Sequence, residues 1–507
     1  MKLHILSGGQ GWHVDHDDSR VYGYRLADGS GEWCSLYERN GGVYVTTSPF
    51  GTYSPYYAIV GDTVYVADNV AALVRQTGKR EINERSLLEY MSFGCGTTAT
   101  TLGTTTHIRG INTFPPGARS VVHETGLEVH SAWAPHGRLA TQQEFHDRFR
   151  QVVADAVGEK GDIILPLTGG LDTRSILAML VELGVLDRVR CFTFSGCVED
   201  DQIAASICKH YHLPHKLYTN SRLADIDALD GLVPGVPYDS LTSSIRQEER
   251  GILLLGLCGN EVWRARLQTP CLLQRGTIAE RVLDGLTTSI NYPTLPDVYQ
   301  CDVRSELLKA VEEQLSAWLG KTLTEAVDHV IWTSMVPNWA GTLIRSAGRY
   351  HTVYAPILDS KLAEMAYGAT LADRIAGTFQ RGLFAKHDYL ASLRYDTDYK
   401  VNHQLARLIY YSGGRQGVAA ARKVRRMLSF LTAPRGRGTL PSPSMTAATM
   451  EPLSPYEQLK RTMLDWDTMV SRDIFSRKKL ERLVADNTRP PFVEKLVSLE
   501  LWLRGVL

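Results

Sequence analysis

Residues 163–174 read IILPLTGGLDTR, an apolar run that ends in Thr168, Gly169 and Gly170, with Asp172 close behind. The unbroken Ile-Ile-Leu-Pro-Leu stretch suits a strand buried on both faces of a parallel sheet, and the paired glycines let the backbone turn sharply with its N–H groups bared to an anion. Helical spacing at Ile176, Leu177, Leu180 and Leu183 predicts a helix over 175–183, whose positive N-terminal end points at the same spot. A diphosphate fits there. A P-loop would need a lysine after its last glycine to reach the terminal phosphates. Asp172 stands here instead, suited to holding a magnesium ion that bridges phosphate oxygens. The chemistry to expect is cleavage of ATP between the α- and β-phosphates, leaving AMP and pyrophosphate.

Two further segments repeat the strand, turn and helix pattern of a doubly wound fold. In VRCFTFSGCVEDDQIAASICKHYHLPH (189–215) a strand ends at Phe194 and Ser195 before an acidic turn and an amphipathic helix. In GILLLGLCGNEVWRAR (251–266) a buried strand ends in a Gly-rich acidic turn carrying Gly259 and Glu261. Acids at the carboxyl ends of neighbouring parallel strands fall where an open α/β sheet has its ligand crevice. With these residues in view, the chain resembles the class B asparagine synthetase superfamily, which includes beta-lactam synthetases and lasso-peptide cyclases. Its SGGLDS signature matches here with Thr168 and Thr173 in place of serines. The resemblance implies a PP-loop synthetase domain of the adenine nucleotide alpha hydrolase type. MgATP would be bound through Leu167, Thr168, Gly169, Gly170, Asp172 and Thr173, with Phe194, Ser195 and Gly259 along the nucleotide, and Asp172 and Glu261 would be the metal pair. RYHTVYAPILDSKLAEMAYG, from Arg349, resembles the family's R…PFLD helix entry, which makes Asp359 a structural cap. The region 381–402 resembles the stretch that carries the family's essential lysine. Lys400 is the best match and Lys386 the fallback, a cation that would offset charge at the α-phosphate as a carboxylate attacks.

The likeness reaches the amino-terminal part. Residues 43–76 and GINTFPPGARSVV, from Gly110, resemble strands of the family's N-terminal-nucleophile (Ntn) glutaminase domain. In a working glutaminase of that kind the nucleophile is a cysteine exposed by removal of Met1, whereas position 2 here is Lys and the first cysteine is Cys34. Glutamine hydrolysis is therefore not expected. The nitrogen would come from ammonia, an amine, or an amine within the activated substrate. A second departure is Cys258, which stands where asparagine synthetases place Glu and beta-lactam synthetases Tyr; a cysteine in an apolar strand reads as a small hydrophobe.

Lys plus Arg and Asp plus Glu both number 55 in 507 residues, so no overall field attracts nucleic acid or an anionic membrane. Eight cysteines without CxxC spacing point to a reducing compartment, and the N-terminal stretch carries no signal-peptide core, so a cytoplasmic enzyme is expected. Residues 1–138 read as an antiparallel β domain, Ntn-like and degenerate, with turn signals at short intervals. Residues 139–507 read as the α/β synthetase domain, entered through a helix at Gln142 and mainly helical after 268. A basic helix with Arg415, Arg422, Lys423, Arg425 and Arg426 precedes a Pro/Ser-rich linker and reads as a solvated face; His210, His212 and His215 read as a helix end returning to a strand, not as a zinc site. The expected activity is adenylation of a carboxylate followed by amide formation, with ring closure in a specialised metabolite or peptide favoured. Amidation of a small-molecule or sugar carboxylate by ammonia or an amine is the alternative, and a nucleotide-binding scaffold is the non-enzymatic one. The partners to expect are a small-molecule or peptide carboxylate substrate and biosynthetic partner proteins.

Overall fold

The computed structural model describes residues 1–6, 12–14, 20–26, 28–93, 100–134, 136–158, 161–194, 198–218, 245, 248–265, 267–272, 274–287, 295–316, 322–393, 455–486 and 490–507. The amino-terminal part is built from β1 (Lys2–Ile5), β2 (Trp12–Val14), β3 (Arg20–Arg25), β4 (Gly31–Arg39), β5 (Gly42–Thr47), β6 (Tyr56–Val60), β7 (Thr63–Ala67), β8 (Ile111–Thr113), β9 (Ala118–His123) and β10 (Gly126–Ala132). These form a six-stranded sheet, β10-β9-β5-β4-β3-β2, and a four-stranded one, β1-β7-β6-β8. Alternating residues pack between them: Cys34, Leu36, Val43 and Val45 from one sheet meet Tyr57, Val64 and Val66 from the other, and Tyr57 stacks on Phe114 at 4.4 Å.

The antiparallel expectation needs one correction. The larger sheet is antiparallel throughout, but β1 lies parallel to β7. The chain reaches β7 from β1 through a long connection, not a hairpin, so nothing forces the two to run opposite ways. Two helices, α1 (Val70–Thr77) and α2 (Glu84–Ser92), follow β7, each capped by an asparagine side chain, Asn69 and Asn83.

The second sheet contains β11 (Ile163–Pro166), β12 (Val189–Phe194), β13 (His215–Tyr218), β14 (Ile252–Leu254) and β15 (Thr352–Tyr354) in the order β13-β12-β11-β14-β15, every pair parallel. Growth of the sheet runs one way from β11 to β13 and then restarts on the other side of β11 with β14. Such a reversal, at the carboxyl ends of β11 and β14, is the place where an open α/β sheet usually carries its ligand site. The helices α3 (Gln142–Val157), α4 (Leu171–Leu183) and α5 (Val198–His210) flank this sheet. Thr141 and Glu144 start α3 with a reciprocal capping box. Helix α4 begins one turn before the predicted Ser175, because its first turn (Leu171, Asp172, Thr173, Arg174) is too polar to show in the apolar spacing. Beyond residue 268 the described elements are helical apart from β15. None of the described helices is long and apolar enough to cross a membrane.

A single hydrophobic cluster runs from Tyr22 and Phe50 through Ile163 and Leu177 to Leu503, so the two sheet systems share one core. The last helix, Pro490–Val506, returns to the amino-terminal part, where Lys495 donates to the Phe93 carbonyl at 2.7 Å and lies over the Tyr90 ring. Across the same boundary Trp332 donates to the Pro49 carbonyl at 2.5 Å and Tyr53 to the Val353 carbonyl at 3.3 Å.

Glu32 holds the 48–52 turn that meets this boundary. Its buried carboxyl accepts from the Ser48 and Thr52 hydroxyls, both at 2.9 Å, and from the Thr52 and Phe50 N–H groups. Burial outweighs those donors and pushes its pKa up to about 7, as it does for Glu89 in α2. A carboxyl that binds its proton more tightly in the folded state stabilises the fold fully below the unfolded value near 4.5, and loses that contribution as pH rises through about 7. Unfolding temperature measured between about pH 5 and pH 8 should therefore fall more in the parent than in Glu32→Gln, by up to about 3 kcal/mol in stability difference. Parallel curves for the two proteins would show that Glu32 does not titrate in this range.

Candidate functional site

The turn after β11 is held from several sides. The Leu167 N–H donates to the Phe192 carbonyl at 2.8 Å, and the Thr193 hydroxyl donates to the Leu167 carbonyl at 2.7 Å, which fixes the loop to β12. Thr168 N–H reaches the Thr173 hydroxyl at 3.4 Å, and Gly170 N–H reaches the Thr168 hydroxyl at 3.2 Å. The threonines that replace serines thus close the loop on itself. Gly170 precedes α4 with an extended backbone and no side-chain cap, so the first-turn N–H groups of this helix have no capping side chain. Arg174, wholly buried, donates to the Gly169 carbonyl at 2.6 Å and to the Leu390 and Leu393 carbonyls at 3.2 and 3.3 Å. It binds the glycine turn to the short helix Asp388–Ser392.

The turn after β14 comes within van der Waals reach of α4. A Cβ on Gly256 would sit 2.7 Å from both the backbone nitrogen and the methyl of Thr173, and one on Gly259 would run into the Asp172 carboxylate. Cys258 adopts φ +69, left-handed for a residue with a Cβ, and introduces a π-helical turn over Gly259–Trp263. That turn directs the Gly259 N–H to Asp172 at 3.0 Å. It is held from behind: Trp263 packs edge-on against Phe145 and Phe149 of α3 at 4.9 and 5.2 Å, and Arg374, paired with Asp328, donates to the Val262 carbonyl.

Asp172 is therefore oriented by three donors: the Gly259 N–H, Arg264 at 3.2 Å and Gln380 at 2.9 Å. Glu261, half-buried, stands on the facing turn. Both carboxylates act on the same thiol. Burial first, then the charges of Glu261 and Asp172, push the Cys258 thiol far above its ordinary range. Cys258 lies beyond the end of β14, not within the strand, and is 2% exposed; burial, which favours the protonated thiol, agrees with its reading as a small hydrophobe.

A carboxylate offers about four lone-pair positions, so Asp172 with three donors keeps room for a cation. Two carboxylates beside a loop of N–H groups fit magnesium, which takes one or two protein carboxylates and draws its other oxygens from phosphate and water. Among the described residues no group of three or more His, Cys, Asp or Glu is placed to hold a metal. Of the histidines of 210–215, His210 stacks on Tyr389 at 3.7 Å and His215 lies beside the Thr193 hydroxyl at 2.8 Å.

Leu167, Thr168, Gly169, Gly170, Asp172, Thr173, Gly259 and Glu261 come together at the two strand ends, and Phe194 ends β12 half-buried alongside. Ser195, Lys400 and the basic stretch 415–426 lie outside the described residues, and Lys386 is exposed. Arg174, Gly256, Arg264 and Gln380 escape a sequence reading. Arginines in or beside apolar stretches are the only trace of two of them, and nothing in the sequence links Gln380 to Asp172. Asp359 caps the helix Ser360–Gly368 through the Leu362 N–H at 3.0 Å, the role its position predicts, and also pairs with Arg148.

No protein-family profile and no curated protein matches the chain. Among solved structures, the glutamine-dependent NAD+ synthetase of Acinetobacter baumannii, determined with adenosine diphosphate, is similar at 14% identity and a TM-score of 0.14, over 40% of this chain and 51% of its own. The chain thus spans about half of that protein, and at that TM-score the likeness carries no weight for fold or function.

The contact between the two turns is open to a direct check. Gly259→Ala and Gly256→Ala should each lower stability by about 1–3 kcal/mol through overpacking. Gly505→Ala, where nothing lies within 4 Å, should cost nothing. Equal unfolding temperatures for all three variants would refute the close approach.

Proposed function

We propose that this chain is an ATP-dependent, AMP-forming carbon–nitrogen ligase of the PP-loop kind, with a degenerate Ntn-like β portion over 1–138 and the synthetase portion over 139–507. The observation that supports it most is the meeting, at the reversal point of the parallel sheet, of the uncapped start of α4 with two carboxylates that share one buried thiol. The loop over Leu167–Thr173 and the start of α4 would bind the β,γ end of ATP, with Phe194, Ser195 and Gly259 assigned to the nucleoside side. Asp172 and Glu261 hold magnesium, which, when bound, offsets phosphate charge. Arg264, Gln380 and the Gly259 N–H keep Asp172 oriented for this, and the dense packing around Cys258 keeps water from its rear.

In the reaction a substrate carboxylate oxygen attacks the α-phosphorus and the bond to the β-phosphate oxygen breaks, releasing pyrophosphate. A nitrogen lone pair then attacks the acyl carbon, AMP leaves with the bonding electrons, and the ammonium proton passes to solvent or a base. Lys400 supplies the cation near the α-phosphate, with Lys386 the fallback. The first cysteine, Cys34, is buried in β4 with its thiol pushed up by burial, which supports a nitrogen source other than glutamine hydrolysis at that residue. The favoured reaction is ring closure within one substrate, and amidation by ammonia or a separate amine is the alternative.

Carboxylate-dependent exchange of labelled pyrophosphate into ATP tests the class. The parent should exchange, and Asp172→Ala and Glu261→Gln should each lose about a hundredfold or more. Tight ATP binding with no exchange for any carboxylate tried would instead mark a nucleotide-binding scaffold, and full exchange by Asp172→Ala would remove Asp172 from the site.

A further inference from the structure

The two oxygens of Asp172 are approached unequally. Oδ1 accepts from both Arg264, at 3.2 Å, and Gln380, at 2.9 Å. Among the described residues Oδ2 accepts from the Gly259 N–H alone, at 3.0 Å. Each carboxylate oxygen has two lone-pair directions, so Oδ1 is filled and one position is left, on Oδ2. Of the three donors only Arg264 is an ion. Gly259 and Gln380 orient Asp172, whereas Arg264 orients it and also answers its charge.

Arg264 is not placed to swing aside. It is 3% exposed, and its N–H closes the π-helical turn on the Gly259 carbonyl at 3.0 Å. Its stem passes Gly377, where an added Cβ would lie 3.3 Å from Arg264 Cδ. Gly377, at φ +67, turns the chain between the helix Leu371–Ala376 and the helix Thr378–Gly382 that carries Gln380. One turn thus fixes both side-chain donors on Oδ1. The π-helical turn is braced from behind by Arg374, which donates to the Val262 carbonyl and pairs with Asp328. Asp328 belongs to the helix Leu323–Val330, the first part of a rod that continues through a π-helical stretch, Ile331–Ala340, into Gly341–Ala347. At the far end of that rod Arg345 donates to the Thr52 carbonyl at 2.6 Å, so the frame behind Arg264 reaches the amino-terminal part.

A divalent cation arriving at Oδ2 therefore meets a carboxylate whose other oxygen already holds a guanidinium. Two cations on one carboxylate repel, the more so where screening by water is reduced. The repulsion falls when a polyphosphate arrives with negative charges of its own. We propose that Arg264 is a positioning residue that makes magnesium binding depend on the nucleotide, so that the metal is taken together with ATP and not before it. The inference rests on the nucleotide reading of the site and adds which combination of ligands that site accepts. Arg264→Gln keeps a hydrogen-bonding side chain and removes the charge, so it should shift the affinities for metal and for nucleotide in opposite directions. Removal of a side chain that merely braced the turn would weaken both.

Calorimetry and thermal unfolding of the full chain with magnesium chloride alone, with ATP and EDTA, and with magnesium and ATP, at matched ionic strength, test it. Arg264→Gln should bind magnesium alone about tenfold more tightly than the parent and ATP about tenfold more weakly, the scale set by one unit charge in a partly screened site. Arg264→Lys, which restores the charge, should move both affinities back toward the parent. Unfolding temperatures without ligand report any folding defect in either variant. The parent supplies an arm of its own: magnesium alone should leave its unfolding temperature where it is, and magnesium with ATP should raise it above the value with ATP and EDTA. Magnesium alone stabilising the parent as much as magnesium with ATP, both affinities falling together in Arg264→Gln, or neither changing, would overturn the proposal. No ATP binding by the parent under any condition would instead strike the nucleotide reading, and this inference with it.

Discussion

Everything at the candidate site depends on how closely two backbone turns approach each other. The loop leaving β11 and the loop leaving β14 diverge at the reversal point of the parallel sheet, yet there they touch so tightly that only hydrogen fits at positions 256 and 259. Asp172 spans the contact, bonded to Gly259 across it and to Arg264 and Gln380 from beyond. One side-chain atom more at either glycine would part the turns and turn the carboxylate away from its donors.

The support for that contact comes from far along the chain. Arg174 reaches the segment near residue 390, Gln380 comes from a helix remote in sequence from Asp172, and Arg374 with Asp328 secures the carbonyl behind Glu261. These are buried polar groups, and removing one partner would leave the other uncompensated away from water. Their effect is to give the site one arrangement. Proteins that must hold a highly charged ligand without reorganising on its arrival need such a fixed polar frame.

What was legible in the sequence follows from the range over which each signal acts. The strand and glycine turn at 163–170, the helix after them, the strands at 189 and 252 and the cap at Asp359 all depend on neighbours a few residues away, and local pattern reveals them. The parallel order of the sheet followed from repeated strand and helix units. The start of α4 was missed because its first turn is polar, and Cys258 was misplaced because a left-handed residue leaves no mark on hydropathy. The parallel pairing of β1 with β7, and the partners of Asp172, depend on contacts between distant segments and had no sequence signal at all.

The π-helical stretch 331–340 has a further consequence. Such a stretch differs from α-helix by an extra residue in the turn, and each residue of an α-helix advances the direction of its side chains by about 100°. Loss of one residue from this stretch would let plain α-helix resume in nearly the same register, so that Arg345, beyond it, would keep its hold on the Thr52 carbonyl of the β-rich half. The same loss from the α-helical segment before it would turn every later side chain by about 100°, so a change of length is absorbed in one part of the rod and not in the next.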